Sequence, residues 1–203
     1  TDGTFKPNAP VTHMETLAFI SRLMAPDISE KLSAKTKYKS LLNELNIKAD
    51  WEVDAVSICL NRNVFSENEL RNLKKLGALG KPAKRVNVAV LFARGLGLEE
   101  EAIEKGKTGA LLFFTDSDFI ETAKRKYVAV LYDRKIITGD DKGNFNPNDT
   151  IRRAEVAIML SKSYDYIEDN PLEEKPTVPD SSLETVEGTI VSILSGSQKP
   201  FIT

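Results

Sequence analysis

A chain of 203 residues, 41% apolar and 29% charged, is long enough for one packed domain plus extra segments and has an ordinary globular composition. Its 28 basic and 30 acidic side chains leave a formal charge of −2, so no overall field steers it to nucleic acid or anionic membrane, and any anion site has to be local. A single Cys59 and a single His13 exclude an internal disulfide framework, a Cys-rich zinc site and most histidine chemistry. No apolar run approaches the ~20 residues that span a bilayer, and the start lacks a signal peptide, which fits a cytosolic protein or a mature exported one.

The chain opens inside a turn, with Gly3, Phe5, Pro7 and Asn8 spaced as Gly143, Phe145, Pro147 and Asn148 are, a constant offset of 140 residues that marks an internal repeat. Thr12-His13-Met14-Glu15 is a capping-box pattern, and Met14, Leu17, Ala18 and Ser21 follow at helical spacing. Ala25 to Ser40 is charged and mixed and reads as a connection with a short helix, broken at Pro26-Asp27. A second copy runs through Glu44, Trp51, Ala55, Val56, Cys59 and Phe65. Shifted by 72 residues, these positions fall on Asp116, Ala123, Tyr127, Val128, Leu131 and Ile137 of a third copy.

Between Ser66 and Pro82 the second copy has a longer turn without the Gly-x-Phe-x-Pro run. Its helix then resumes with Val86, Ala89, Val90 and Ala93 and ends at Gly95 or Gly97. Leu98 to Lys107 reads as an acidic then basic surface segment. The third copy is the most complete: an apolar stretch closing on Ile136-Ile137-Thr138-Gly139, the turn Gly143-Asn144-Phe145-Asn146-Pro147, and a helix start at Arg152-Arg153-Ala154-Glu155.

These motifs resemble the S-layer homology repeat, with its Gly-Ile-Ile-x-Gly ending, Gly-x-Phe-x-Pro turn and Thr-Arg-Ala-Glu helix start. About two and a half degenerate repeats are present, at residues 1–40, 41–98 and 110–168, the first helical half of copy one being absent from this sequence. The resemblance implies an all-α fold, a pseudo-threefold helical bundle over residues 1–168. A proline-punctuated linker at 169–183 and a β-branched strand segment at 184–203, a possible start of a further domain, follow it.

The three helix starts, Thr12-His13, Lys84-Arg85 and Arg152-Arg153, occupy one position of the repeat. Free amides and a partial positive charge already sit at a helix start, so Arg there is locally unfavourable unless an anion docks on amides and guanidinium together. The competing reading is an ion pair that ties copies to one another. In the family, grooves between repeats hold a pyruvylated wall polysaccharide whose carboxylate is read by the motif arginine. Arg153 matches that arginine directly and Arg85 by alignment; His13 does not match. Asp116 matches the family's acidic position, Glu44 substitutes for it in copy two, Trp51 matches the aromatic position, and Gly139 matches the glycine closing the first helix. Trp51 also reads as core or groove wall, and Gly139 as a plain helix C-cap. With Thr12 replaced by Lys84 and Arg152 in the other copies, capping there has to come from residues such as Asp149 or Thr150.

The Asp- and Asn-rich turn at Asp140 lacks the glutamate of a calcium loop, since the twelfth position falls on Ile151 or Arg152. No metal, cofactor or catalytic role is expected. The expected partner is a cell-wall polysaccharide on the surface of a Gram-positive-type bacterium, reached by an exported protein, with no nucleic acid and no membrane insertion. The alternative is a degenerate module that joins subunits of a surface layer or appendage without binding glycan.

Overall fold

The computed structural model describes residues 3–108 and 114–172. Among them are eight α-helices and no sheet: α1 His13–Leu23, α2 Ile28–Glu44, α3 Asp50–Asn61, α4 Glu67–Lys75, α5 Arg85–Gly95, α6 Glu99–Lys107, α7 Thr122–Asp133 and α8 Arg153–Asp169. The all-α expectation holds. The strand expected at 184–203, and the linker from residue 173 on, lie outside the described residues.

The capping box at α1 forms as its sequence dictates: Glu15 N–H donates to Thr12 Oγ1 (3.1 Å) and Thr12 N–H to the Glu15 carboxylate (2.8 Å). The segment from Ala25 to Ser40 departs from expectation. Instead of a connection with a short helix it is most of α2, 17 residues long, capped by Asp27, whose carboxylate accepts from Glu30 N–H at 2.6 Å. The apolar face of α2 is only Ala34, Tyr38, Leu41 and Leu42, spaced for one side of a helix but submerged in Lys, Ser and Glu. Its docking is completed by a buried ion pair. Glu30 accepts from Arg62 Nε (2.8 Å) and Nη2 (2.6 Å), and these bonds outweigh the cost of burial and hold its carboxyl below the usual glutamate range. Leu98 to Lys107, read as a surface segment, is α6, with Ala102 and Leu98 buried beneath it.

The three copies meet at a closed ring of backbone bonds. Val11 N–H donates to Ile151 O (2.9 Å), Ile151 N–H to Ala83 O (3.1 Å), and Ala83 N–H back to Val11 O (2.8 Å). These are equivalent residues, each two before the first residue of α1, α5 or α8, and all three are fully buried. The same cycle satisfies the helix starts. The first two amides of α1 donate to Lys81 O and Leu79 O, those of α5 to Asp149 O and Pro147 O, and those of α8 to Ala9 O and Pro7 O. This corrects one expectation: these leading amides are bonded to a neighbouring copy and are not open to an anion. It also answers the capping question: at all three helix starts the first two amides are met by backbone carbonyls of a neighbouring copy, and α1 adds Thr12, which accepts from a third amide.

Each leading helix should be covered by a first-half helix. α3 packs on α1 and α7 on α5. Consequently Ala18 in α1 is 5% exposed and Val90 in α5 is 9% exposed, whereas their equivalent in α8, Ile158, is 55% exposed. Ala154 and Ala157 are likewise only half-buried, because among the described residues no helix covers that face of α8.

Candidate functional site

Arg85 and Arg153 do equivalent things at two junctions between copies. Arg85 Nη2 lies 2.5 Å from Glu155 Oε1, joining copies two and three, and Arg153 Nη1 lies 3.4 Å from Glu15 Oε1, joining copies three and one. Arg153 also donates from Nε to Phe5 O (3.0 Å) and stands 5.7 Å from the Phe5 ring centre. At the remaining junction the pair is replaced: the Arg position is His13 and the Glu position is Asn87. His13 is buried and its Nδ1 lies 3.1 Å from Ala78 O and 3.3 Å from Lys81 O, so the proton sits on Nδ1 and is donated to carbonyls. Asn87 instead accepts from Lys124 (3.1 Å).

The junction of copies two and three contains a groove of about 220 Å³. One wall is α5, through Arg85 and Ala89; the opposite wall is α8, through Glu155, Ile158, Met159 and Lys162; the loop from Ile136 to Asn146 closes the end. Its volume falls below the ~300–1,000 Å³ of drug-sized pockets and suits one sugar ring or a small anionic substituent. The Nε of Arg85 is buried without an acceptor, since the Glu155 pair occupies a terminal nitrogen. An unpaired buried guanidinium donor is costly and rare.

The loop is shaped by two carboxylates. Asp116 accepts from Phe145 N–H (2.8 Å) and Asn146 N–H (2.7 Å), one bond per oxygen, which clamps the Gly-x-Phe-x-Pro turn to the segment before α7. Asp140 accepts from Asn144 N–H (2.8 Å), from Asn146 Nδ2 (3.0 Å) and from Lys142 N–H (2.9 Å), and these bonds pull its pKa down to about 2. Gly143 at φ +77° provides the left-handed step in this turn. Gly139 lines the groove for another reason: a Cβ there would stand 3.1 Å from Asn144 O and 3.2 Å from the Phe114 ring. It is not the helix cap that the sequence suggested. α7 ends at Asp133, and the left-handed residue after it is Lys135, at φ 57°.

Of the six residues singled out from sequence, Arg85 and Gly139 share this groove and Asp116 holds its loop. Arg153 is at the neighbouring junction. Glu44, the counterpart of Asp116, pairs with the Arg71 guanidinium on α4, the element inserted where copy two has its longer turn. Trp51 begins α3 and is 44% exposed, so it is neither core nor part of the Arg85 groove. Sequence reading passed over Lys162, Asp140 and Asn144. The repeat offset contained a signal for one of them, because Lys162 falls on the positions of Arg22 and Arg94, a cation in every copy.

Among the described residues no group of three or more His, Cys, Asp or Glu is placed to hold a metal, and no helix is long and apolar enough to cross a membrane. Cys59 is fully buried, and burial pushes its thiol far above the usual range, so it is no nucleophile.

Residues 114–157 match the S-layer homology domain family. Over 184 residues, 89% of its length, the chain is 21% identical to the surface-layer 125 kDa protein of Lysinibacillus sphaericus, of which it covers 14%. A 106-residue stretch, 50% of the chain, is 29% identical to an endoglucanase of Bacillus sp. (strain KSM-635), of which it covers 10%. The chain therefore spans about a tenth to a seventh of the length of these relatives. No solved structure matches it.

Proposed function

From a chain that carries an S-layer homology domain over residues 114–157, we propose a cell-wall anchor: a noncatalytic module of an exported bacterial protein that grips an anionic, pyruvylated wall polysaccharide noncovalently. The observation that carries this reading is the groove at the junction of copies two and three, which Arg85 and Gly139 both line. In this reading a ligand carboxylate takes a bond from Arg85 and competes with Glu155 for it, while Gly139 lets the loop pack closely on Phe114 and so shapes the end of the groove. Asp116 positions the loop without touching ligand. Arg153 is proposed as the contact of a second, weaker groove, its guanidinium being shared with Glu15 and Phe5 O. Trp51 and Glu44 are assigned to neither. Weak single grooves suffice if several modules or many chains act together, because tethering raises the effective concentration of the next contact.

The test is binding of purified wall polysaccharide, measured by calorimetry. Loss of a charge-assisted bond in a sheltered site weakens binding about tenfold to a hundredfold, so Arg85→Ala should fall in that range and Arg153→Ala should lose less. Unchanged affinity in Arg85→Ala would remove the proposal while leaving the fold untouched.

One observation favours a second reading, subunit assembly in a surface layer: the exposed Ile158 with Ala154, Ala157 and Ser161 beside it on an uncovered face of α8. If that reading holds, mass by light scattering rises with concentration and Ile158→Asp abolishes the rise.

A further inference from the structure

A basic residue recurs at one position of the leading helices: Arg22, Arg94 and Lys162. In α1 and α5 it sits in the last turn, where a cation is favoured by the carbonyl end of the helix. Arg94 has further reasons to be there. It donates to Glu69 (3.0 Å), Glu99 (3.1 Å) and the Tyr127 hydroxyl (3.2 Å), and lies 5.2 Å from the Tyr127 ring centre. Lys162 has none of these. α8 continues to Asp169, so Lys162 lies mid-helix, far from any helix end, and among the described residues no ion pair holds it. It nonetheless lines the same groove as Arg85.

Lys162 is seven residues beyond Glu155, the partner of Arg85, and at 1.5 Å per residue that is about 10 Å along α8. The groove lining thus carries two cations, Arg85 and Lys162, together with the apolar side chains of Ala89, Ile136, Ile158 and Met159. Such apolar walls suit the apolar face of a sugar ring, and a flexible lysine stem tolerates variation in where the second charge falls. Resting on the glycan-binding reading, we propose that Lys162 is a second anion contact, and that the groove selects a glycan unit bearing two acidic groups, one held at Arg85 and one at Lys162.

Calorimetry with purified wall polysaccharide tests this on wild type, Lys162→Ala, Lys162→Arg and Arg85→Ala at three salt concentrations, with a parallel polysaccharide sample whose carboxylates have been amidated. Lys162→Ala should bind about fivefold more weakly, with a shallower dependence on salt, Lys162→Arg should bind as wild type, and amidation should erase the difference between wild type and Lys162→Ala. The melting temperature of Lys162→Ala should not change, since no ion pair is lost. If Arg85→Ala loses binding while Lys162→Ala keeps wild-type affinity and salt dependence, the second contact is wrong and the groove reading survives. If neither variant differs from wild type, the groove reading itself fails.

Discussion

The junction between copies two and three and the junction between copies one and two start from the same backbone ring and end differently. The first keeps the Arg–Glu pair, a compact turn held by Asp116 and Asp140, and an open groove. The second has His13 and Asn87 in place of the pair, and α4 fills the longer turn, its Glu69 carboxylate engaging Arg94. In effect the second junction supplies its own carboxylate to the cation whose counterpart in the first, Lys162, has no ion pair among the described residues. A repeat can keep its fold while the side chains at one junction change, because the ring and the helix-start carbonyls use backbone atoms alone; Arg94 and Glu69 still line a cavity of about 950 Å³.

The packing around the ring supports all three junctions, so loosening it should affect them together. Ile151→Ala deletes a fully buried side chain at the point where the copies converge, and large-to-small changes at such sites cost about 2–5 kcal/mol. The expected result is a single cooperative loss of stability. Denaturant-dependent thiol labelling would report it, since Cys59, buried against Leu17, should react only after unfolding. Labelling of Cys59 in the native state, or loss of one junction without the other, would contradict a shared ring.

Asp116 and Glu44 sharpen the comparison, being the same position in two copies. Asp116→Ala orphans two turn amides, and hydrogen bonds to a charged group contribute about 1.5–3 kcal/mol each, so a loss of about 3 kcal/mol with disordering of the groove loop is expected. Glu44→Ala removes an exposed pair with Arg71 and should leave the unfolding midpoint unchanged. Equal effects would mean that α4 depends on its acidic tether as much as the compact turn does.

The parts of this architecture that were legible in the sequence are those written in local periodicity. The three leading helices start where Thr12, Lys84 and Arg152 indicated, and the turn glycines recur at φ +72° and +77° in Gly3 and Gly143. α2 was obscured because its buried face is only four residues wide among charged neighbours. The fate of the helix-start amides was hidden for a deeper reason. Which carbonyl meets Arg85 N–H depends on a residue of another copy, Asp149, and no local pattern encodes that pairing. For the groove, Arg85 and Gly139 were found by motif. Lys162 was missed because a mid-helix lysine on a charged helix looks like any solvated side chain until the opposite wall is in place.

Gly139→Ala tests how tightly the open groove is built. The new Cβ would sit 3.1 Å from a backbone oxygen and 3.2 Å from an aromatic ring, and such overpacking costs about 1–2 kcal/mol. Gly80→Ala in the other junction meets nothing within 4 Å and should be neutral or slightly stabilising. Both are read from thermal melts, and an Ala at 139 that leaves stability and glycan affinity intact would show that the loop moves freely away from Phe114.

The smallest expected effect concerns acid. Asp140 is held down to about 2 by the amides of Asn144 and Lys142 and the side chain of Asn146, against an ordinary value of 3.8. Between those values the folded chain binds fewer protons than the unfolded one, so the contribution of Asp140 is complete above the ordinary aspartate range and declines as the pH falls through it toward about 2. Other carboxylates, Glu30 and Glu69 among them, are also held low and contribute to any acid transition, which is why the wild-type curve alone does not isolate this one. The difference between wild type and Asp140→Asn does. It should be constant from neutral pH to about 5, then shrink toward pH 2, and it should be modest throughout because the carboxylate is exposed and its bonds are screened. The amide shifts of Asn144 and Lys142 should follow the Asp140 titration and lose that dependence in Asp140→Asn. An Asn144 amide that shifts only near pH 4 would mean that the loop is not held by this carboxylate.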